Sequence, residues 1–244
     1  MSIALSLDYW DTLFDGGRLP ERLERRQAAL RQMLRNLECD LPDDEFITLY
    51  RAAGAEADRW WREEHRGYTA DERIRWMLAR LNVTRPRDCE HVAAAVRAVD
   101  DSLLEFPPPL LPGAREALRT LAARFPLAIV SDTGFASSTA QEALLEREGL
   151  LELFAARIYS MDIGHAKPRR EPFAACVQAL GRGPGTILHI GDNERTDVRG
   201  ALDAGFRAIR ADFVRDNGPS AAEFVARSFD ELTEYLLQEP PSSS

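Results

Sequence analysis

Four separated stretches of the chain concentrate carboxylate, hydroxyl and ammonium side chains: Asp8-Tyr9-Trp10-Asp11-Thr12-Leu13, Ser131-Asp132-Thr133-Gly134, Lys167-Pro168 and Gly191-Asp192-Asn193-Glu194-Arg195-Thr196-Asp197. A carboxylate can attack an electrophile, but a phosphate monoester carries two negative charges that repel it unless cations neutralise them. Asp8 is the candidate nucleophile. Asp192 is placed to share a hard cation such as Mg2+ with Asp8, because that ion prefers oxygen ligands and keeps several waters. Asp197, five residues further on, is expected to orient a metal-bound water. Lys167 would place a fixed positive charge beside the transferred phosphoryl oxygens, and the Ser131 hydroxyl with its loop amides would hydrogen-bond them. Asp132 and Thr12 complete the expected substrate contacts.

These residues need a scaffold that brings distant segments to one edge. Five short apolar runs supply it: Ser2 to Leu7, Leu127 to Val130, Ala156 to Tyr159, Thr186 to Ile190 and Arg207 to Arg210. Each meets an acid within three positions, namely Asp8, Asp132, Asp162, Asp192 and Asp212. Apolar runs alternating with helical patterns predict an α/β fold with a Rossmann-like parallel-sheet core. Ligands bind such sheets beyond the carboxyl ends of the strands, where these acids fall. Helices are expected after Pro112-Gly113, from a Ser138 to Gln141 capping box, along the Phe173, Cys176, Val177, Leu180 stripe, and from a Ser228 to Glu231 capping box.

Residues 16–107 show no strand pattern and long Arg/Glu/Ala/Leu-rich stretches, which predicts an inserted α-helical unit. One of its helices should start at a Thr69 to Glu72 capping box and carry Ile74, Leu78 and Leu81 on one face. Phe106-Pro107-Pro108-Pro109 reads as a stiff return linker. The expected division is a core of 1–15 and 108–238, an insert of 16–107, and a disordered tail of 239–244.

Composition narrows the partners. The 244 residues are 45% hydrophobic and 29% charged, enough for a folded core and against disorder throughout. Asp and Glu outnumber Lys and Arg by 40 to 31, a net charge of -9 that argues against nucleic acid and anionic membranes as partners. The expected partner is a small anionic molecule held by local positive charge. Cys39, Cys89 and Cys176 form no metal or disulfide pattern, no run approaches a membrane span, and a reducing cytoplasm is the expected location. His165 and His189 lack a second histidine at metal-ligand spacing, so both read as structural imidazoles. Nothing in the sequence speaks to oligomeric state.

Taken in order, the four motifs resemble those of the haloacid dehalogenase superfamily of hydrolases, and the insert after the first motif is similar to that superfamily's helical cap. The resemblance implies an aspartyl-phosphate on Asp8, Mg2+ held by Asp8, Asp192 and the Trp10 carbonyl with Asp197 nearby, and a cap that closes over a small phosphorylated metabolite. It also exposes a departure. Phosphatases of the superfamily usually carry an aspartate where this chain has Trp10, and a glycine where it has Asp11. An indole cannot shuttle a proton near neutral pH. Asp11, Glu63, Glu64 or His65 are the candidates to replace the lost proton carrier. Three functions follow: a Mg2+-dependent phosphohydrolase restricted to good leaving groups; a 2-haloacid dehalogenase, in which Asp8 displaces halide from carbon without a metal; and a catalytically impaired member that binds a phosphorylated ligand.

Overall fold

The apolar runs form strands in the computed structural model, which describes residues 3–17, 19–84 and 89–238. Ser2, at the head of the first expected run, and the expected tail 239–244 lie outside the described residues. In chain order the elements are β1 (Ala4–Leu7), α1 (Pro20–Asn36), α2 (Asp43–Arg62), α3 (Ala70–Arg80), α4 (Glu90–Glu105), α5 (Ala114–Ala122), β2 (Leu127–Ser131), α6 (Ser138–Arg147), β3 (Phe154–Tyr159), α7 (Ser160–Ile163), α8 (Arg170–Leu180), β4 (Ile187–Gly191), a π-helical turn (Glu194–Arg199), α9 (Gly200–Asp203), β5 (Arg207–Ala211), β6 (Phe224–Ala226) and α10 (Phe229–Gln238).

The six strands form one parallel sheet in the order β3-β2-β1-β4-β5-β6. Every residue of β1, β2 and β4 is buried, as expected of strands covered on both faces. β6 was not among the expected runs because only Phe224–Ala226 pair, a segment too short to give a periodic signal. Leu7 lies opposite Ile129 of β2 and Ile190 of β4, so the next residue, Asp8, emerges at the carboxyl edge between them. The chain runs outward from β1 through β2 to β3, then returns past β1 to β4. The β1/β4 boundary is therefore the switch point where this architecture opens a crevice.

The chain divides into two compact units, 1–17 with 108–132 and 145–244, and 18–107 with 133–144. In the first, Phe173 of α8 is fully buried with Ala128, Val130, Ile158, Ile187 and Phe206, its ring edge-on to His189 of β4 at 5.4 Å. The return segment is pinned to the loop after β1 by Asp15 N–H to the Pro109 carbonyl at 3.0 Å and Leu111 N–H to the Leu13 carbonyl at 2.9 Å.

The second unit is helical. Leu30, Met33, Phe46, Ile74, Met77, Leu78 and Val92 form its core, with Leu81 packed against it. α3 begins at a complete capping box, the Thr69 hydroxyl accepting from Glu72 N–H and the Glu72 carboxylate accepting from Thr69 N–H. The expected cap of α6 shifts by one residue: Ser137 Oγ accepts from Ala140 N–H at 3.1 Å, while the Gln141 side-chain amide donates to the Thr133 carbonyl. A cap must stand outside the helix, and Ser138 is already its first residue. At the last helix, Ser228 Oγ accepts from Glu231 N–H as expected, but Glu231 reaches Arg227 N–H.

Phe173 fills the space beneath the strand that carries the second acidic motif. Phe173→Ala should lower unfolding stability by ~3–5 kcal/mol, the cost of emptying a buried aromatic site, read as a fall in the urea midpoint with the m-value unchanged.

Candidate active site

The loop after β1 folds back on itself. The Tyr9 carbonyl accepts from both Leu13 and Phe14 N–H, and Asp11 N–H donates to the Phe14 carbonyl at 2.7 Å. This turn places Asp11 in the left-handed region, φ 55°. Such backbone favours glycine and tolerates Asp better than most residues. Asp11 is held there by its own side chain, Oδ1 accepting from Gly16 N–H at 2.8 Å.

Lys167 is the centre of the arrangement. Its ammonium group, 1% exposed, donates to Asp8 Oδ1 at 2.6 Å, Asp197 Oδ1 at 2.6 Å and the Val130 carbonyl at 2.8 Å. All three of its donors are used. Asp132 Oδ1 accepts from the Lys167 backbone N–H at 3.0 Å, so the end of β2 fixes the position of the lysine through both backbone and side chain. Ser131 closes the same strand, 2% exposed.

β4 delivers the remaining acids. Asp192 follows Gly191, and Asp197 returns against the same glycine through the π-helical turn. A Cβ on Gly191 would lie 2.5 Å from Asp197 Cγ, so only glycine permits this approach. Asn193 caps the turn by accepting from Arg195 and Thr196 N–H. Asp197 Oδ2 accepts from Asn193 N–H at 3.0 Å. Its Oδ1 also faces His189 Nε2 at 3.3 Å, while His189 Nδ1 meets Ser6 Oγ at 2.9 Å. His189 is thus the buried hydrogen-bonded imidazole expected, with the added consequence that it orients Asp197.

Arg215 and Asn217, in the loop after β5, were not singled out from the sequence. Buried Arg210 holds the loop by donating to Asp212 Oδ2 and the Pro219 carbonyl, each at 2.9 Å. Asn217 Nδ2 then reaches the Asp192 carbonyl at 3.2 Å, and Arg215 Nη2 lies 3.1 Å from Asp11 Oδ2 and 3.4 Å from Asp192 Oδ2. The only sequence signal was their place after a strand carboxyl end.

The electrostatics follow from this crowding. Burial pushes the Asp8 carboxyl well up, with Lys167 opposing and Asp197 and Asp192 reinforcing. Burial likewise raises Asp192, to about 7, with Asp197 and Asp11 adding repulsion against Lys167 and Arg215. Burial acts upward on Asp197 as well, but Lys167 and His189 override it and hold that carboxyl below its ordinary range. Burial would lower Lys167, yet Asp197, Asp8 and Asp132 keep it firmly charged. Burial, aided by the Lys167 charge, keeps His189 low and hence neutral.

Asp8, Asp192 and Asp197 each offer a ligand oxygen within 4.8 Å of the others, a donor set that can hold a metal ion. An all-carboxylate set suits a hard divalent cation. Thr12 is fully buried and its Oγ1 has no partner among the described residues. Trp10 is partly exposed, its ring edge-on to Tyr9 at 4.9 Å. Among the candidates to carry the proton that Trp10 cannot, Asp11 is paired with Arg215, and Glu64 with Arg59 at 2.7 Å and Arg66 at 3.7 Å.

Comparison with known proteins agrees with this geometry. Residues 4–205 match haloacid dehalogenase-like hydrolases. The chain is 28% identical over 208 residues to the glyceraldehyde 3-phosphate phosphatase of Methanopyrus kandleri, covering 85% of this chain and 82% of that one. In structure it is similar to a 2-haloacid dehalogenase from Pseudomonas syringae pv. Tomato, with TM-score 0.70, 22% identity, and 98% and 99% of the two chains covered. It is also similar to a phosphatase from Thermococcus onnurineus, with TM-score 0.65, 21% identity, and 96% and 97% covered. No helix among the described residues is long and apolar enough to cross a membrane. With a parallel sheet ending in these motifs and a family match running from β1 beyond α9, the chain belongs to the haloacid dehalogenase-like hydrolases.

Proposed function

We propose that the chain is a Mg2+-dependent phosphohydrolase that works through an aspartyl-phosphate on Asp8, in the cytoplasm, on a small phosphorylated metabolite. The observation that carries this reading is the Lys167 ammonium held 2.6 Å from both Asp8 and Asp197, with Asp192 close enough to share a cation with them. Mg2+ bound by Asp8, Asp192 and the Trp10 carbonyl, with Asp197 beside them, would neutralise charge on the phosphoryl group.

The chain's own residues account for the rest. Lys167 engages Asp8 Oδ1, which leaves Oδ2 to attack phosphorus as the bond to the leaving oxygen breaks. The same ammonium, with Ser131 and the buried Thr12 hydroxyl, offers donors to the equatorial oxygens as their charge develops. Asp197 and its bond to His189 keep that ammonium in place. Asp132 acts at one remove, through the Lys167 backbone. Water then cleaves the acyl phosphate and regenerates Asp8.

Trp10 cannot protonate the leaving oxygen, and general acid catalysis typically contributes ~10²–10⁴-fold. The substrate class is therefore acyl or aryl phosphates, whose leaving groups depart unprotonated. The similar chain from Methanopyrus kandleri is a glyceraldehyde 3-phosphate phosphatase, which supports phosphate esters over haloacids. The dehalogenase reading is favoured by one observation, the aromatic residue at position 10, and predicts halide release from a 2-haloacid without Mg2+. An impaired, ligand-binding member would bind Mg2+ and phosphate without turnover.

Three outcomes test the proposal. Phosphate release should vanish in Asp8→Asn and in chelator, measured by a phosphate assay. An aryl phosphate should be turned over at least ~10²-fold faster than a sugar phosphate; equal rates would remove the role assigned to Trp10. The third is thermodynamic. Asp192 sits at about 7 when folded, against an unfolded value of about 3.9, so its ionisation costs stability as pH rises through that window. In chelator at pH 8, Asp192→Asn should be more stable than wild type by ~1–3 kcal/mol, with the gap closing toward pH 4. Saturating Mg2+ should reverse the order in thermal melts by stabilising wild type alone.

A further inference from the structure

The helical unit concentrates positive charge that the chemistry at Asp8 does not use. Arg22 and Arg26 lie one turn apart on α1, and Arg73 lies on α3. Two of them have partners at Nε: Arg22 Nε donates to the Phe106 carbonyl at 3.1 Å, though its Nη2 is buried without an acceptor, and Arg26 Nε donates to Ser102 Oγ at 2.8 Å. Arg73 does not. It is 9% exposed, its Nε is buried without a partner, and no hydrogen bond or ion pair from any described residue reaches its guanidinium. Aromatic rings alone hold it, with Cζ 4.1 Å from the Phe135 ring centroid and 5.3 Å from that of Tyr50. Arg26 lies 5.4 Å from the same Phe135 ring.

The surrounding groups leave the charge uncompensated. Burial pulls the Arg26 guanidinium down to about 10, with Arg22 and Arg73 adding repulsion, against Tyr50 and Asp100. Asp100 is already committed, its two oxygens accepting from Ser137 N–H at 2.8 Å and Ser137 Oγ at 2.7 Å. A buried Nε–H without an acceptor is costly, and an apolar side chain of similar volume would pack against the same rings without that cost. Ring stacking orients the planar fork but satisfies none of its N–H donors.

We propose that Arg73, with Arg26 beside it, forms an oxyanion-binding site in the helical unit, built for the carboxylate or phosphate group of a small ligand. The fork geometry of a guanidinium matches two oxygens of either group, and the flanking Phe135 and Tyr50 rings hold the fork in place. Every residue that forms this site belongs to the helical unit, and the proposal does not depend on phosphohydrolase activity.

The test uses the full chain, 15N-labelled and in chelator. The Nε–Hε resonance of Arg73, assigned by its loss in Arg73→Met, is followed while malonate or inorganic phosphate is added. The expected result is a saturable shift, unchanged in Asp8→Asn, with malonate alone marking a carboxylate site and phosphate alone a phosphoryl site. Calorimetry should show at least tenfold weaker binding of the active probe to Arg73→Met. That variant should melt at or above wild type, because it removes a buried Nε–H that has no acceptor; a guanidinium with only a packing role would lower the melting temperature when replaced. If Arg73→Met does not fold, Arg73→Lys assigns the same resonance, so the wild-type titration still decides the matter. No saturable shift of the Arg73 resonance below ~10 mM of either probe, a ceiling weaker than millimolar affinity, would overturn the proposal.

Discussion

One buried ammonium group organises the first unit. Lys167 must be charged to serve any anionic substrate, and it is almost wholly removed from water. Desolvating such an ion costs several kcal/mol unless oxygens replace the lost water. The Val130 carbonyl and the carboxylates of Asp8 and Asp197 do so, and they come from β2, β1 and the turn after β4. None can be supplied locally, which is why the ends of three strands must converge. A parallel sheet with β1 between β2 and β4 provides that convergence. Removing any one partner would leave a buried charge exposed to the full penalty, so the site and the fold's stability are tied together.

The same constraint explains features that are not themselves reactive. Gly191 is small because Asp197 packs where its Cβ would be. His189, neutral in the protein interior, turns Asp197 toward Lys167. Arg210 fixes the loop that carries Arg215 to the two outer acids, Asp11 and Asp192. The left-handed turn at Asp11 keeps another acid near Asp192, and repulsion from Asp197 and Asp11, added to burial, raises the Asp192 carboxyl to about 7.

Much of this was legible in the sequence because the residues at issue sit where a periodic pattern stops. Asp8, Ser131 and Asp192 each close or follow an apolar run that can only be a buried strand, and Lys167 stands beside a proline in a strand-to-helix connection. The partners of those residues were not legible. That Lys167 would bond Asp197 as closely as Asp8, or that Asp132 would act on a backbone amide, depends on tertiary distances that no local spacing encodes. Arg215 looked like any loop arginine. Arg73 lay within a helix whose apolar stripe was read correctly, yet helical phase does not say that a charged residue beside the stripe is buried and unpartnered. The α6 cap moved from Ser138 to Ser137, and β6 escaped notice because three residues carry no period.

Trp10 marks the limit of the shared design. Asp8, Asp132, Lys167 and Asp197 are joined by hydrogen bonds, whereas the Trp10 ring packs against Tyr9. On the proposed mechanism, the arrangement favours attack over leaving-group assistance. The most direct test of the central claim is a crystal structure grown with MgCl2 and beryllium fluoride. The account predicts a fluoroberyllate bonded to Asp8 Oδ2, a fluoride within hydrogen-bonding reach of Lys167 Nζ, and the cation on Asp192. A fluoroberyllate bound away from Asp8, or a cation that leaves Asp192 untouched, would contradict it.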